Sequence, residues 1–417
     1  MSPFRLIALG VPVLNLVWWF LADLRARRLP RSGWWRLLIA LFAAGNLAAY
    51  AWVFHSRIYG YSMTVPTMVL MECYVWHLVV LPLTVAGLMA GGAFSGLWRC
   101  GTLIFKARGV NRHEPKEESG GELRVPEQVS GAMAVTSRRR VLAAAVAALP
   151  PAATAAAQAR AVSQLREFRI RRFTIELPSL PRVLDGMTIA HVSDLHVGRF
   201  TQGAVLRDVV TRTNDLRADL VLFTGDLIDF DLADLPVGID TLRQLAPSER
   251  FALCEGNHDL FGGREAFENG VRTAGLPLLL NEAKTFTVRG ERVQILGLRW
   301  GRPGPGRGAM IDEQMEQVVD LRDPAAFTIL LAHHPQAFDR AAEAGIPLTL
   351  AGHTHGGQLM LTEQIGAGPL LFKYWSGVYR RGAAALAVSN GVGNWFPLRI
   401  NAPAEILHIT LQTAGRR

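Results

Sequence analysis

Five short stretches in the second half of the chain combine Asp, Asn and His in ways that suit divalent metal ions. They are Asp194-Leu195-His196, Gly225-Asp226-Leu227-Ile228-Asp229, Gly256-Asn257-His258-Asp259, His333-His334-Pro335 and Gly352-His353-Thr354-His355-Gly356-Gly357. Six of the eleven histidines fall in these stretches, so they are not scattered surface histidines. Carboxylate and imidazole donors suit Mn, Fe or Zn. Two such ions about 3.5–4 Å apart can clamp a phosphate and activate a water. A carboxylate that bridges two cations lets them sit that close. No cysteine joins the set, which argues against a structural zinc site. Taken singly, each stretch is more often a turn or a surface motif; the weight lies in all five occurring together.

An apolar run precedes each one. Met187–Val192, Leu220–Thr224, Phe251–Cys254, Phe327–Ala332 and Leu348–Ala351 read as short strands, with Ala384–Val388 as another. Ala204–Leu216 has helical spacing. Strands alternating with helical patterns predict an α/β architecture. In such folds ligand groups lie beyond the carboxyl ends of the strands, which is where all five stretches fall. His191 lies inside the first strand and reads as a packed histidine.

The series resembles the calcineurin-like metallophosphoesterase superfamily, with its D-x-H, G-D-x-x-D, G-N-H-D/E, H and G-H-x-H blocks. The resemblance covers about residues 185–411. Its wording around Ala332–Pro335 and Ala351–Gln358, and the tail from Val388 to Ile406, is similar to one branch. That branch includes membrane-anchored or twin-arginine-exported bacterial phosphoesterases and some enzymes acting on UDP-2,3-diacylglucosamine. The resemblance implies a four-layer α/β/β/α sandwich. It also implies two divalent ions, Mn favoured over Fe or Zn. Asp194, His196 and His355 would hold one ion; Asn257, His333 and His353 the other; Asp226 would bridge. His333 is preferred to His334 because the family's ligand is the first residue after the strand. His258 would serve as general acid or transition-state donor, and Asp259 would orient it. Asp229 would support the Asp226 loop. The implied reaction is in-line attack on phosphorus by a metal-activated hydroxide. Where the branch often has Arg, this chain has Asn390, so that Arg contact to phosphate is not carried over.

The first hundred residues are of another kind. A spanning helix needs ~20 apolar residues, and three stretches qualify: about Phe4–Ala22, Leu37–Phe54 and Cys73–Trp98, the last with Glu72 at its edge. The first loop carries Arg25, Arg27, Arg28, Arg31 and Arg36, the second only Arg57, and the third Arg99, Lys106 and a series ending in Arg138-Arg139-Arg140. Positive charge marks cytoplasmic loops, so the first and third face the cytoplasm. Gly109–Gly131 reads as a flexible linker. Ser137–Leu142, followed by an Ala-rich run to Ala159, looks like an internal twin-arginine signal. The other reading is a basic linker leading into a surface helix. Pro150-Pro151 argues against a long helix there. The expected order is therefore an α-helical transmembrane region (1–105), a basic cytoplasmic linker (106–140), a twin-arginine-like fourth span or signal (141–159) and a phosphoesterase domain (160–417). The chain is expected in the cytoplasmic (inner) membrane, multi-pass, with the catalytic domain on the outer, periplasmic face.

The net charge of +9 is largely accounted for by these loops, and no nucleic acid is expected. Only Cys254 lies in the globular part, which excludes a disulfide within it. Arg299, Arg302 and Arg307, around the Gly-Pro-rich stretch Gly301–Gly308, are placed to steer an anion; the stretch itself reads as a mobile loop. Trp395-Phe396-Pro397 suits either core packing or a lipid surface. The expected substrate is a phosphate ester, mono- or diester, of a lipid or cell-envelope molecule. Two alternatives are a UDP-2,3-diacylglucosamine pyrophosphohydrolase serving lipid A synthesis and a catalytically silent membrane sensor or scaffold.

Overall fold

The structure, a computed structural model, describes residues 3–58, 65–90, 128–165, 168–245, 248–301, 307–362 and 364–415. The chain forms two compact units, Met1–Ala159 and Arg160–Arg417.

The first unit is helical: α1 (Pro3–Ala26), α2 (Ser32–Ile58), α3 (Thr67–Ala90) and most of α4 (Gln128–Gln164). α2 and α3 hold stretches of mean hydropathy 1.9 and 1.8 and are long enough to cross a bilayer. α1 covers the first predicted span. The third predicted span runs past Ala90, and its end lies outside the described residues, as does most of the predicted linker. Gln128–Gly131, the linker's last residues, already belong to α4. Contrary to expectation, Pro150 and Pro151 do not interrupt this helix, which continues for 37 residues. Each proline removes one N–H, and the Thr154 hydroxyl takes up the Pro150 carbonyl at 2.9 Å. Trp18, Phe42 and Trp76 meet edge to face. Some of the polar groups nearby pair with one another: Trp76 Nε1 donates to Asn15, Asn15 to the Ala43 carbonyl, and Asn46 to Glu72, whereas Trp18 Nε1 is buried without a hydrogen-bond partner.

Among its described residues the second unit contains eleven strands: β1 (Phe168–Leu177), β2 (Thr188–Val192), β3 (Leu220–Thr224), β4 (Phe251–Cys254), β5 (Glu282–Val288), β6 (Glu291–Gly297), β7 (Phe327–Leu331), β8 (Leu348–Ala351), β9 (Gly377–Arg381), β10 (Ala384–Val388) and β11 (Ala404–Thr413). One sheet has the order β1-β11-β2-β3-β4, the other β5-β6-β7-β8-β10-β9. Successive residues of a strand face opposite ways, and the burial divides accordingly. Leu220 and Leu222 point into the core between the sheets, where they join Ile329, Leu331 and Leu348. Val221 and Phe223 point outward, onto Leu206, Val209 and Phe267 of the covering helices. The second sheet is covered on its far side by Met315, Val318, Ala337 and Ala341. The result is the expected four-layer α/β/β/α sandwich.

Within each sheet the strands that matter run parallel: β2-β3-β4 in one, β6-β7-β8-β10 in the other. Their carboxyl ends therefore gather on one side of each sheet.

Candidate metal centre

Three clusters of metal-type donors form where these strands end: Asp194, His196 and His355; His196, Asp226 and His258; Asp226, His333 and His353. His196 Nε2 and His355 Nε2 lie 3.0 Å apart, and His355 Nε2 is 3.3 Å from Asp194 Oδ1. On the other side, Asp226 Oδ2 is 3.1 Å from His333 Nε2, and His333 Nε2 is 3.3 Å from His353 Nδ1. Asp226 also lies 3.5 Å from His196, so its carboxylate joins the two clusters. Asn257 Oδ1 is buried without a hydrogen-bond partner.

Five of these residues have left-handed backbones: Asp194 (φ 53°), His196 (46°), Asp226 (56°), His353 (72°) and His355 (49°). Such a conformation costs about 1–3 kcal/mol per non-glycine residue and persists where the surroundings enforce it. Here it turns side chains from successive loops toward one centre. The glycines beside them permit the close approach. A Cβ on Gly256 would strike the Asp226 carboxylate, and one on Gly352 would strike Ser193 and Asp194.

Sequence reasoning missed several supports. His191 is packed inside β2, as its position implied, but it begins a buried chain: His191 Nε2 to Thr224 Oγ1, Thr224 to Ser193, and Ser193 to Asp194 Oδ2. Arg399 is fully buried. Its Nη2 sits 2.9 Å from His355 Nδ1, and its other N–H groups donate to the carbonyls of Asn390, Gly393 and Ala402. A guanidinium only donates. In the metal-free protein the neutral His355 ring therefore accepts at Nδ1 and carries its proton on Nε2, facing Asp194 and His196. Nothing in the sequence marks an arginine for full burial.

Two carboxylates exchange the places expected of them. Asp259 does not reach His258; its oxygens accept from the backbone N–H groups of Asp226, Leu227, Ile228 and Gly256 at 2.7–3.1 Å. It is Asp229 that orients His258, whose Nδ1 lies 2.8 Å from the Asp229 carbonyl and 3.2 Å from its Oδ1. The reason is the short 3-10 turn His258–Leu260, which points adjacent side chains in different directions. A further correction concerns Arg299. Arg299 pairs with Glu268 and Glu255 and is not left to steer an anion. Arg302 lies outside the described residues, and Arg307 begins the helix Arg307–Val319. His334 accepts from the Gln336 N–H at 3.2 Å and, with His333 and His353, packs against Trp300. Trp395 is half-buried against His258 and His355.

The protonation pattern suits a cation site. Burial drives His196, His353 and His355 well below the usual histidine value, toward the neutral form that binds metals. Burial also lifts Asp194 to about 6. His333 goes the other way: burial opposes its charge, but Asp226 outweighs burial and raises it to about 9. Its Nδ1 lies 2.7 Å from the Thr224 carbonyl, so without metal it is an imidazolium held between two acceptors. The donor set, the unpartnered Asn257 oxygen and a proton sitting where a cation would sit all fit two divalent ions.

A pH dependence follows. A histidine raised from 6.5 to about 9 on folding adds stability that is fully present below pH 6.5 and is lost as pH rises through 9. His258, also raised, has the same sign; the lowered histidines act only below 6.5. In EDTA, the melting temperature of the full chain in detergent is therefore expected to fall between pH 6.5 and 9. Added Mn²⁺ should flatten that fall by replacing the His333 proton. A flat EDTA profile over this window goes against the assignment.

Comparison with known proteins agrees with the geometry. Residues 187–357 match the family model of the calcineurin-like phosphoesterases. An uncharacterized metallophosphoesterase of Bacillus subtilis, YkuE, is 29% identical over 260 residues, covering 58% of this chain and 85% of that protein. A Danio rerio transmembrane protein with a metallophosphoesterase domain is 30% identical over 257 residues, 58% of this chain and 57% of the fish protein. The phosphodiesterase YaeI of Escherichia coli is 26% identical over 234 residues, 54% of this chain and 81% of that one. Among solved structures, the NAD nucleotidase of Haemophilus influenzae aligns with a TM-score of 0.33 and 17% identity over 50% of this chain and 51% of that one. The Arg160–Arg417 unit thus carries a calcineurin-like metallophosphoesterase domain. It is a metal-dependent phosphoesterase, a hydrolase of phosphate esters.

Proposed function

We propose that this phosphoesterase domain works at the outer face of the cytoplasmic membrane, anchored by its own N-terminal helices, on a lipid or cell-envelope phosphate ester. The observation that carries the catalytic reading is the convergence of strand-end residues on three overlapping donor clusters, two of which share Asp226. Asp194, His196 and His355 would hold one ion and Asn257, His333 and His353 the other, with Asp226 common to both. This mixture of imidazole and oxygen donors suits Mn, Fe or Zn, and the family resemblance favours Mn. Two divalent ions, when bound, neutralise charge on the phosphate and lower the pKa of water. The chain supplies the rest. Arg399 and the Thr224 carbonyl fix the rings of His355 and His333. His258, held by Asp229 through Nδ1 and raised in pKa, keeps a proton on Nε2 to give to the departing oxygen. Trp300, Phe230 and Trp395 wall the histidines with aromatic surface.

The test is hydrolysis by the purified full chain of two soluble phosphodiesters, one with a 4-nitrophenolate and one with an alkoxide leaving group, beside phospholipid and nucleotide substrates. The His258→Ala variant should retain its metal. Its turnover should fall by about 10²–10⁴-fold on the alkoxide substrate, the range general acid catalysis contributes. The fall should be much smaller on the nitrophenyl ester, whose leaving group needs no proton. Equal losses on both would remove the acid role.

Support for the anchoring comes from the hydropathy of α2 and α3 and the loop charges. A phosphatase reporter fused after Arg417, active only in exported positions, should be active. A cytoplasm-only reporter that worked there would overturn the outward orientation.

A further inference from the structure

Large apolar side chains exposed on the Arg160–Arg417 unit are not scattered. Ten are exposed among the described residues, and six of them flank the metal centre: Phe230, Phe261, Leu361, Ile365, Leu370 and Leu371. Phe230 and Phe261 stack at 5.3 Å, and both pack on His258. The other four lie between Leu359 and Phe372, directly after the Gly352–Gly357 stretch. That segment is seated on the site: Gly357 leaves no room for a Cβ beside Gly368, the Thr354 hydroxyl donates to the Trp375 carbonyl, and Phe372 meets the His353 ring.

The short helix Ala367–Leu371 inverts the usual arrangement. It buries a glycine, Gly368, against Trp375 and Gly357, and turns Leu370 (85% exposed) and Leu371 (70%) outward. A helix facing water does the opposite. Exposed apolar side chains grouped beside a site mark an interaction surface, and the same chain carries two helices apolar enough to cross a bilayer. Moving such leucines out of water is favourable.

We propose that this rim is a membrane-docking surface. Leu361, Ile365, Leu370 and Leu371, with the Phe230/Phe261 pair, insert among lipid headgroups and upper acyl chains, so that the metal centre opens onto the bilayer surface. The proposal rests on the membrane-anchored reading above. It names the bilayer, and not a second copy of the chain, as the partner of this face. It also implies that the phosphate ester is presented from the membrane plane.

The experiment places an environment-sensitive fluorophore on a single introduced cysteine in the full chain, reconstituted into vesicles of phosphatidylethanolamine and phosphatidylglycerol. Cys100→Ser removes the one native cysteine outside those that are buried, Cys73 and Cys254. Probes at Leu370→Cys and Phe261→Cys should shift to the blue and lose at least half their emission when brominated phosphatidylcholine is included. Probes at Val183→Cys and Leu321→Cys, exposed elsewhere on the unit, should not. Equal, weak quenching at all four positions overturns the proposal. So does a blue shift at 370 that depends on protein density in the vesicles and not on brominated lipid, which would assign the face to a second copy. Two companion measurements separate the readings. Extraction of the chain by alkaline carbonate would refute anchoring itself, and hydrolysis of the soluble diester reports the phosphoesterase independently of both.

Discussion

Asp226→Ala is expected to abolish turnover, by at least ~10³-fold, and to lower the bound metal from two ions to one or none. The carboxylate is the only side chain within reach of both His196 (3.5 Å) and His333 (3.1 Å) among the described candidate ligands, so its loss separates the two clusters. The factor corresponds to about 4 kcal/mol of lost transition-state stabilisation at 1.36 kcal/mol per tenfold change, in keeping with the several kcal/mol that metal ions contribute. The fold should survive. The backbone of the Asp226 loop is held by Asp259 and by strand-end bonds to Asp194 and His196, none of which uses the Asp226 carboxylate. That carboxylate does accept the His258 N–H at 2.8 Å, so a modest loss of stability is expected. The check is metal analysis and diester hydrolysis on the same preparation. Near-wild-type turnover by a metal-depleted variant would refute the shared-ligand assignment.

The sequence exposed the parts of this molecule where chemistry and periodicity coincide. β2, β3, β4, β7, β8 and β10 are short and mostly apolar because both faces of each are largely buried, and each of the first five is followed by residues of metal type. β1, β5, β6, β9 and β11 were not legible in the same way. β1 (Phe-Arg-Ile-Arg-Arg-Phe-Thr-Ile-Glu-Leu) carries arginines on both faces and lacks a clean apolar alternation, and its pairing with β11 joins residues more than two hundred positions apart, which no local pattern encodes. The seven candidate ligands could be named because a metal limits the residue types. Their supports could not. Ser193 and Thr224 are ordinary residues whose role appears only when two strands lie side by side. Arg399 has the chemistry of a surface residue, yet the loop from Ser389 to Pro403 wraps it and offers it several carbonyls. The error over Asp229 and Asp259 is of the same kind. Adjacency in the chain suggested that Asp259 orients His258, but the turn between them sends the two side chains apart.

That exchange gives Asp259 a structural task, and its replacement should be felt in the fold before the chemistry. The carboxylate is fully buried and accepts four backbone N–H groups. It thereby fastens the loop after β3 to the turn after β4, with Asp226 on one side and Asn257 on the other. Asp259→Ala leaves those four donors buried and unanswered at about 1–3 kcal/mol each. Even with relaxation and entry of water, the total approaches the ~5–15 kcal/mol that holds a typical domain together. The expected result is a large drop in melting temperature, or no folded domain at all, with metal binding lost as a consequence. Asp259→Asn keeps an acceptor at one position but puts an NH₂ group where N–H donors already point, so it should recover only part of the loss. The charge has its own cost: burial, and after it the neighbouring Asp226, pushes the group up to about 7, against the backbone donors that favour the ionised form. Bound cations offset that cost. The decisive comparison is therefore between Asp226→Ala and Asp259→Ala melted with and without Mn²⁺. The first should melt modestly below the metal-free wild type, with at most a small rise on adding Mn²⁺, and the second far below it under both conditions. If Asp259→Ala instead kept the wild-type melting temperature and lost only turnover, with a pH profile altered on the acid side, Asp259 would belong with His258 in proton transfer and not with the scaffold beneath the metals.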